Sequence, residues 1–320
     1  MSLESPHFSI ITPAYRSAAT LPAAIRSALS QTDTDWEMLV VDDGSDDETL
    51  SIAEEFARAD PRVRTFTQPN AGVSVARNTA MAAARGRFFV LLDADDELDP
   101  TYLESQRAFI DGHPGHGIYS TNAWVVQPGG SRRLFWSGRD NRIYSLTLAE
   151  ELRRNRINAH STFPREVYEA IGGFTPGRRA QDYEFWLRAM IAGHTHIMNP
   201  EPLVMYNVLD GSLSTDRVIV IGNIVEFVEL LSADAPAELE PHFAAALELW
   251  RARLSIARME ERLLSGDQVD ARRIFFQNAK HLPDWRKIPV GGVLMALSPR
   301  LYRRALLGRL DRSRKIAANR

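Results

Sequence analysis

Short apolar runs alternate with amphipathic segments through the first hundred residues. Four runs rich in β-branched or aromatic side chains predict strands, and three intervening segments with apolar positions at helical spacing predict helices. The predicted strands are residues 8–12, 38–41, 63–67 and 88–92, and the predicted helices are residues 21–30, 49–59 and 73–84. This alternation is typical of a mostly parallel sheet with helices on both faces.

The pattern changes after Pro100. Helices are predicted at residues 102–110, 165–171 and 183–192, and strands at residues 118–126 and 134–136. From about residue 218 the pattern is helical, with several proline interruptions. We therefore predict an α/β domain over residues 1–215 and a helical C-terminal region over residues 216–320.

Composition narrows the class of protein. The chain has 320 residues, of which 44% are hydrophobic and 25% charged, as in folded globular proteins. It has no cysteine, which excludes disulfide scaffolds, thiolate metal sites and cysteine nucleophiles. A reducing cytoplasm fits this composition. We expect no signal peptide and no membrane-spanning helix, because no apolar run approaches the roughly 18 residues that a span needs.

Charge is distributed unevenly. Residues 286–320 contain ten Lys or Arg and one acid, a net charge of +9, so the other residues carry -12 of the total of -3. Apolar positions at helical spacing in residues 288–320 predict a basic amphipathic helix. Such a helix binds a membrane surface or packs its basic face on the acidic domain, and both interpretations stay open. Nucleic acid is not an expected partner, because no aromatic stacking pattern accompanies the basic residues.

Carboxylates follow two of the predicted strands. Asp93, Asp95 and Asp96 come after the strand at residues 88–92, and Asp42 and Asp43 follow the strand at residues 38–41. Open α/β sheets bind ligands at this edge, and carboxylates are hard ligands suited to Mg²⁺ or Mn²⁺. The first group could also be solvated acids in a polar loop.

The second acidic loop has an alternative role as the cap of the next helix, through Ser45 or Asp46. Neither of the glycine-rich phosphate-binding patterns, Gly-x-Gly-x-x-Gly or Gly-x-x-x-x-Gly-Lys-Ser/Thr, is present in the chain. The turns that are glycine-rich in a dinucleotide-binding fold carry acidic residues here. A metal ion that bridges the phosphates could take the place of the glycine-rich loop in binding them.

Several segments together resemble the family 2 glycosyltransferases. They include Phe-Ser-Ile-Ile-Thr-Pro-Ala-Tyr at 8–15, Val-Val-Asp-Asp-Gly-Ser at 40–45, Gln-Pro-Asn-Ala-Gly at 68–72, Ala-Arg-Asn at 76–78 and Leu-Leu-Asp-Ala-Asp-Asp at 91–96. The resemblance continues through residues 165–174, 181–188, 200–206 and 211–214, about two-thirds of the chain. It implies a GT-A fold, a Rossmann-like mixed sheet flanked by helices, and an inverting enzyme that uses a nucleotide sugar.

The resemblance also implies a nucleotide site. Pro13 and Tyr15 would line the nucleoside pocket, Asp43 would accept a hydrogen bond from the base, Arg77 would contact the nucleotide, and Asp93 would face the ribose or sugar. Each residue has a structural alternative. Tyr15 could be a packed aromatic at a strand end, and Arg77 could form an ion pair with Asp42 or Asp43.

The resemblance further implies a metal site and a catalytic base. Asp95, together with Asp93, would hold Mn²⁺ or Mg²⁺ on the diphosphate, and Asp182 would be the catalytic base. The metal would offset charge on the leaving diphosphate. Asp182 would take the proton of an acceptor hydroxyl as it attacks the anomeric carbon. Its alternative role is to cap the helix at residues 183–192.

The chain departs from the family pattern at two points. Gln181 precedes Asp182 where many relatives have Glu, and Asn207 follows Tyr206 where relatives often have Arg within Tyr-Arg-x-His. The second departure removes a cation that could sit near the diphosphate. His160, His194 and His196 are not included in the predicted metal site, because the sequence near them offers no clear third ligand.

These observations predict an inverting, metal-dependent glycosyltransferase. It would transfer a sugar from a nucleotide sugar, with UDP-sugar as the expected donor, to a hydroxyl of a glycan or lipid-linked acceptor in cell-surface polysaccharide synthesis. The expected location is cytoplasmic, with the basic tail as a possible contact to the inner face of the membrane and the helical region as a possible dimer interface. The alternative is a non-catalytic nucleotide- or glycan-binding protein on the same fold.

Overall fold

The computed structural model describes residues 5–137, 142–209, 216–267, 269–271, 273–274 and 307. The chain divides into two compact units. The first comprises the residues up to Val126, Arg132–Glu151 and Asn155–Val208, and the second comprises Gln127–Ser131, Leu152–Arg154 and the residues from Leu209 onward. The predicted amphipathic helix at residues 288–320 lies outside the described residues, apart from Leu307.

The first unit contains one mixed sheet with helices on both faces. Its strands are β1 (Phe8–Ala14), β2 (Trp36–Asp42), β3 (Val63–Thr67), β4 (Phe88–Leu91), β5 (Glu97–Leu98), β6 (Ile118–Val126), β7 (Arg132–Leu134), β8 (Thr162–Pro164) and β9 (His196–Asn207). Its helices are α1 (Leu21–Leu29), α2 (Thr49–Ala59), α3 (Val73–Ala83), α4 (Tyr102–Gly112), α5 (Leu148–Arg154, whose last turn belongs to the second unit), α6 (Arg165–Ile171) and α7 (Gln181–Ile191).

Strand order in the sheet is β3-β2-β1-β4-β8-β6-β9-β5, with β7 paired to β6. The first four strands are mutually parallel, β8 is antiparallel to both β4 and β6, and β6 is parallel to β9. The carboxyl ends of β4, β6 and β9 therefore lie at one edge of the sheet, together with the start of β8. This topology confirms the predicted α/β fold with a mixed, helix-flanked sheet.

Both faces of the central strands are buried. Every residue of β1 and β2 is buried, which explains their nearly continuous apolar sequence. Successive residues point to opposite faces of a strand, so Ile10 joins one hydrophobic cluster and Ile11 joins the other. The predicted strand and helix pattern of the first hundred residues is therefore confirmed.

Strand β9 is absent from the predictions made from the sequence. It is 12 residues long and contains Pro200 and Pro202. Proline cannot donate to a sheet ladder, so two prolines argue against a strand. Here the register with β6 shifts between Thr121 and Ala123, and the pairing passes from Asn199 directly to Pro202. This bulge leaves Pro200 and Glu201 outside the paired positions, and the strand continues past them.

The second unit contains the helices α8 (Arg217–Asp234) and α9 (Glu240–Ser265), joined through a short 3₁₀ turn. The helical C-terminal part is thus confirmed. Buried residues of α9 recur at helical spacing: Phe243, Ala246, Trp250, Leu254 and Ala257. Trp250 also donates from Nε1 to the carbonyl of Leu152 at 2.7 Å, which satisfies its buried indole N–H. Among the described helices, none combines the length and apolar character needed to cross a bilayer.

Candidate active site

The loops after β1, β2 and β4 meet at one edge of the sheet. These strands are adjacent and parallel, so their carboxyl ends lie side by side. The chain moves from β1 outward to β2 and β3 and then returns to the other side of β1 with β4. The order of strands reverses at this point, where open α/β sheets form a ligand crevice.

The turn after β1 presents Tyr15 to solvent. Pro13 is buried in the strand, whereas Tyr15 is 45% exposed, so it is not a packed core aromatic. Arg16 has a left-handed backbone with φ of 49°. Its guanidinium binds Asp46 through two hydrogen bonds of 2.7 Å, and its backbone N–H donates to Ser45 at 3.0 Å. These bonds join the loops after β1 and β2 beside the exposed ring.

Neither Ser45 nor Asp46 caps α2, which was the alternative role of this loop. The residue that precedes the helix is Glu48, and its side chain makes no capping hydrogen bond. Asp47 instead accepts from the backbone N–H of Thr49 at 3.0 Å and from its hydroxyl at 2.5 Å. The capping alternative is therefore wrong for both residues, because both side chains are engaged with Arg16.

Asp43 is buried and organises the loop that follows β3. Its Oδ1 accepts from Gln68 Nε2 at 2.7 Å and from the backbone N–H of Ala71 at 3.0 Å, and its Oδ2 accepts from the backbone N–H of Gly72 at 2.8 Å. A carboxylate offers about four acceptor positions. Three are used here, so one remains for a ligand such as a nucleobase N–H.

Arg77 lies at the centre of the site. It is 1% exposed, its guanidinium carbon lies 5.2 Å from the centre of the Phe174 ring, and its Nη2 donates to Asp93 Oδ1 at 2.5 Å. The ion pair is thus with Asp93 and not with Asp42 or Asp43. Burial acts to raise the pKa of Asp93, but the positive charges of Arg77 and His160 and the hydrogen bond from Arg77 together outweigh it, and that pKa lies below its usual value.

Asp95 has the opposite electrostatic setting. Burial, followed by repulsion from Asp96 and Asp93, raises the pKa of Asp95 to about 7. Clustered carboxylates of this kind are relieved by a cation. The residues therefore fit a bound Mn²⁺ or Mg²⁺, which prefer carboxylate oxygens.

Asp96 is buried and engaged through both oxygens. His160 Nε2 lies 2.5 Å from Asp96 Oδ2, and the backbone N–H of Asn207 donates to Oδ1 at 2.7 Å. Single ligand atoms of Asp93, Asp96 and His160 all lie within 4.8 Å of one another. His160 is 2% exposed. Burial acts to lower its pKa, but the charge and hydrogen bond of Asp96 and the charge of Asp93 together raise it.

The sequence analysis did not include His160 in the site. Its neighbours along the chain supply no metal ligand, and its partner Asp96 is 64 residues away. The one available signal was Asp96 itself, since a carboxylate buried at a strand end needs a partner. The partner's identity depends on β8, a strand of three residues that the sequence pattern does not predict.

Asp182 lies in the first turn of α7 and does not cap it. The helix begins at Gln181, and the capping position is Ala180, with a left-handed backbone. Burial raises the pKa of Asp182, and the charge of Arg77 partly opposes this effect. With its amide oriented to satisfy both neighbours, Gln181 accepts from Arg77 Nη1 at 3.2 Å. Arg77 therefore connects the base candidate electrostatically with Asp93.

Glu151, which the sequence analysis did not single out, is a further buried carboxylate near α7. It is fully buried and accepts hydrogen bonds from the backbone N–H groups of Arg156, at 2.8 Å, and Ile157, at 3.2 Å. Burial raises its pKa to about 7, and the negative charge of Asp182 adds to the rise. The backbone carbonyl of Glu151 accepts from the hydroxyl of Tyr183, which joins the end of α5 to the start of α7.

Comparisons of sequence relate the chain to known proteins. The model of the family described as "Glycosyl transferase family 2" matches residues 9–185, more than half of the chain. TuaG of Bacillus subtilis, whose name assigns it to teichuronic acid biosynthesis, is 28% identical over 213 residues, which are 66% of this chain and 83% of that protein.

Two larger synthases are also similar. Chondroitin synthase of Escherichia coli is 34% identical over 59% of this chain, and hyaluronan synthase of Pasteurella multocida is 31% identical over 70% of it. The chain spans only 27% and 22% of the length of these two relatives. The likeness is therefore to one part of each synthase.

Comparison of structures identifies the fold. Staphylococcus aureus TarS, solved in complex with UDP-GlcNAc, superposes with a TM-score of 0.63 at 20% identity over 92% of this chain and 89% of that one. The mannosyltransferase PcManGT of Pyrobaculum calidifontis, in complex with GDP-Man and Mn²⁺, gives a TM-score of 0.57 at 19% identity over 94% and 88%. This likeness confirms the predicted GT-A fold.

Proposed function

Because this chain belongs to glycosyl transferase family 2 and is a glycosyltransferase, we propose that it transfers a sugar from UDP-sugar to a hydroxyl of a glycan or lipid-linked acceptor. The names of TuaG and of the two synthases support a role in the synthesis of a surface polysaccharide. The TarS complex with UDP-GlcNAc supports a uridine nucleotide as the donor group.

The donor nucleotide binds at the carboxyl edge of β1, β2 and β4. Pro13 and the exposed ring of Tyr15 form the wall of the nucleoside pocket, and the free acceptor position of Asp43 receives a base N–H. Asp93, kept ionised by Arg77, accepts from a hydroxyl of the ribose or the donor sugar. Arg77 orients this carboxylate and faces the nucleotide from α3.

Asp95 and Asp93 would hold Mn²⁺ or Mg²⁺, which would offset the negative charge that develops on the leaving diphosphate. The oxygen of Asp93 that does not bind Arg77 and the carboxylate of Asp95 are the proposed donors, and Asp96, whose two oxygens each accept a hydrogen bond within the protein, is assigned to hold the turn. The complex of PcManGT with Mn²⁺ supports the presence of a metal, and the choice of these two residues is part of the proposal.

Asp182 is the catalytic base. It takes the proton from the acceptor hydroxyl as the hydroxyl oxygen attacks the anomeric carbon. The bond from that carbon to the diphosphate oxygen breaks, its electron pair leaves with the diphosphate, and the anomeric centre is inverted. The raised pKa of Asp182 suits this role, because a base works best when its pKa approaches the working pH.

The position of Arg77 carries this proposal. Its buried guanidinium binds Asp93 on the loop after β4 at 2.5 Å, and its charge also partly opposes the burial that raises the pKa of Asp182 on α7. One cation on α3 thus couples the donor-side carboxylate electrostatically with the proposed base, at the sheet edge where ligands bind.

The first experiment measures thermal unfolding of the full chain with UDP, GDP, dTDP and CDP, each with and without Mn²⁺. A ligand that binds only the folded state raises the midpoint. We expect a shift with UDP that needs Mn²⁺ and that Asp95→Asn abolishes. A shift with a different nucleotide would show that the donor carries that nucleotide instead of UDP. The absence of a shift with all four nucleotides would favour the non-catalytic alternative.

A second experiment tests the base by following UDP release from a panel of UDP-sugars. Asp182→Asn should abolish turnover while it keeps the Mn²⁺-dependent shift with UDP. The matched control is Asp111→Asn in α4, which changes an acid that has no part in the proposed site. Unchanged turnover of Asp182→Asn would refute the assignment of the base.

We further propose that residues 1–215 form the catalytic domain and that residues 216–320 form a helical region that helps to locate the enzyme. The acceptor chemistry favours work at the cytoplasmic face of the membrane, and the basic composition of residues 286–320 would favour an anionic surface. Sedimentation of the full chain with vesicles that contain anionic lipids, compared with neutral vesicles, tests this location.

A further inference from the structure

We propose that His160 and Asn207 are positioning residues that hold the acidic turn at residues 93–96 in the shape needed to bind the metal. The inference rests on the proposed metal-dependent transfer and goes beyond it, because neither residue is among the proposed metal ligands or the proposed base. It arises from a connected set of hydrogen bonds, the turn clamp, which is defined here as His160, Asp96 and Asn207.

Asp96 is the central residue of the turn clamp. Its side chain is fully buried, and its two oxygens have different partners: His160 Nε2 at 2.5 Å and the backbone N–H of Asn207 at 2.7 Å. A carboxylate that is held at both oxygens cannot rotate without breaking a buried charge-assisted hydrogen bond. Asp96 therefore fixes the end of the turn and leaves metal binding to its neighbours.

Asn207 fixes the middle of the same turn. Its side-chain amide donates to the backbone carbonyl of Asp95 at 2.8 Å, while its backbone N–H donates to Asp96. One residue at the end of β9 thus holds two consecutive residues of the turn. Asn207 is one of the two departures from the family pattern, and its short side chain makes this hydrogen bond to the carbonyl of Asp95.

His160 can act as a fixed point because the segment that carries it is itself held. The carbonyl of His160 accepts from the buried hydroxyl of Tyr102 at 2.9 Å. Two residues earlier, Asn158 donates from its side chain to the carbonyl of Thr121 at 2.5 Å, and its own carbonyl accepts from Ser161 at 2.9 Å. The imidazole is therefore supported from α4 and from β6.

The turn clamp predicts a specific defect when it is removed. The partners that orient metal ligands typically contribute roughly 10- to 100-fold to metal affinity. Loss of His160 should therefore weaken the Mn²⁺-dependent part of UDP binding by about this factor. UDP binding without metal should change little, because the nucleoside contacts lie on β1, β2 and α3.

The test compares His160→Gln with His196→Gln by calorimetric titration of UDP in the presence and absence of Mn²⁺. His196 is a matched control, because it is fully buried in the same sheet and also makes two side-chain hydrogen bonds, to Ser120 at 2.7 Å and Leu146 at 3.2 Å. We expect His160→Gln to lose the affinity gained from Mn²⁺ and His196→Gln to keep it. The proposal would be overturned if the ratio of UDP affinity with Mn²⁺ to UDP affinity without Mn²⁺ were the same in both variants.

Asn207→Ala provides a second variant in case His160→Gln does not fold. It removes one hydrogen bond to the turn, so the Mn²⁺-dependent gain should fall by about 3- to 10-fold. An unchanged gain would contradict the role of Asn207. Failure of the wild-type chain to bind UDP with Mn²⁺ would instead refute the proposed function, which distinguishes the two failures.

Pulsed electron paramagnetic resonance of the wild-type chain with Mn²⁺ and UDP separates positioning from direct ligation. A positioning histidine gives no nitrogen coupling to the manganese, whereas a nitrogen ligand does. We expect no such coupling. A coupling that His160→Gln removes would make His160 a metal ligand and would overturn the positioning role.

Discussion

Substitution of the buried carboxylate Glu151 by glutamine should change how stability depends on pH. Glu151 accepts hydrogen bonds only from backbone N–H groups among the contacts that the structure describes for its side chain, and no cation forms an ion pair with it there. A glutamine of the same shape keeps an oxygen for these donors and removes the charge. The difference between wild type and Glu151→Gln therefore isolates the cost of ionising one buried group.

The magnitude follows from the pKa of Glu151. Its ordinary value of 4.5 and its value of about 7 in the folded protein differ by about 2.5 pH units. At about 1.36 kcal/mol for each unit, this difference is worth about 3 kcal/mol of unfolding free energy. The unfolded chain releases the proton first, so the contribution of Glu151 to stability falls as pH rises from about 4.5 to about 7 and then levels off.

The assay is urea unfolding at pH values between 4.5 and 8, with the two proteins compared at each pH. The stability of Glu151→Gln relative to wild type should rise by about 3 kcal/mol across this range. Glu150→Gln is the matched control, because hydrogen bonds from Thr147 lower the pKa of Glu150, so its contribution changes only below about pH 4.5 and its difference from wild type should stay nearly constant across this range. A difference between Glu151→Gln and wild type that is independent of pH would refute the reasoning.

Three further predictions concern other parts of the chain. The turnover number should fall as pH decreases through the raised pKa of Asp182. Gln181→Glu should move this fall to higher pH, because the added carboxylate repels the ionised Asp182 and pairs with the Arg77 guanidinium, whose charge favours that ionised form. The pH profile of kcat checks both statements. Gly173→Ala should lower the free energy of unfolding in urea by roughly 1–3 kcal/mol, because its new Cβ would overlap the side chain of Asn78. Asn78 cannot easily move aside, because two hydrogen bonds hold it to the backbone of Phe174. A cost below about 0.5 kcal/mol would contradict this reasoning. Trp250→Phe should cost about 1 kcal/mol, because the indole hydrogen bond to a carbonyl of α5 is lost, and an equal unfolding midpoint would count against that bond.

Elements with a single strong local signal were predictable from the sequence. The strands β1 to β4 have apolar runs of the right length, and the helices α1 to α3 have apolar stripes between them. The weak elements were not predictable. Strand β8 has only three residues, and β9 carries two prolines, of which Pro200 lies outside the paired positions in a bulge opposite β6. The signal for such strands lies in the pairing partner and not in their own sequence.

The candidate site shows the same division. The acids at the ends of β2 and β4 were predictable, because carboxylates after buried strands mark the ligand edge of a parallel sheet. The hydrogen-bond and ion-pair partners of these acids were not predictable from the sequence. The ion pair of Arg77 was considered with Asp42 or Asp43, on the neighbouring loop, but it forms with Asp93. His160 was left out because it has no ligands near it in the chain, although it contacts Asp96.

Three carboxylates within four residues acquire three different settings from partners that are distant in sequence. Asp93 binds a residue 16 positions away and has a lowered pKa, Asp96 binds residues 64 and 111 positions away, and Asp95 has a pKa raised to about 7. Any of the three could hold a metal by residue type alone. The sheet supplies these different partners, because the start of β8 and the end of β9 lie at the carboxyl edge of β4, where His160 and Asn207 contact Asp96. The motif therefore identifies the loop, whereas the strand topology determines which partners each carboxylate in that loop acquires.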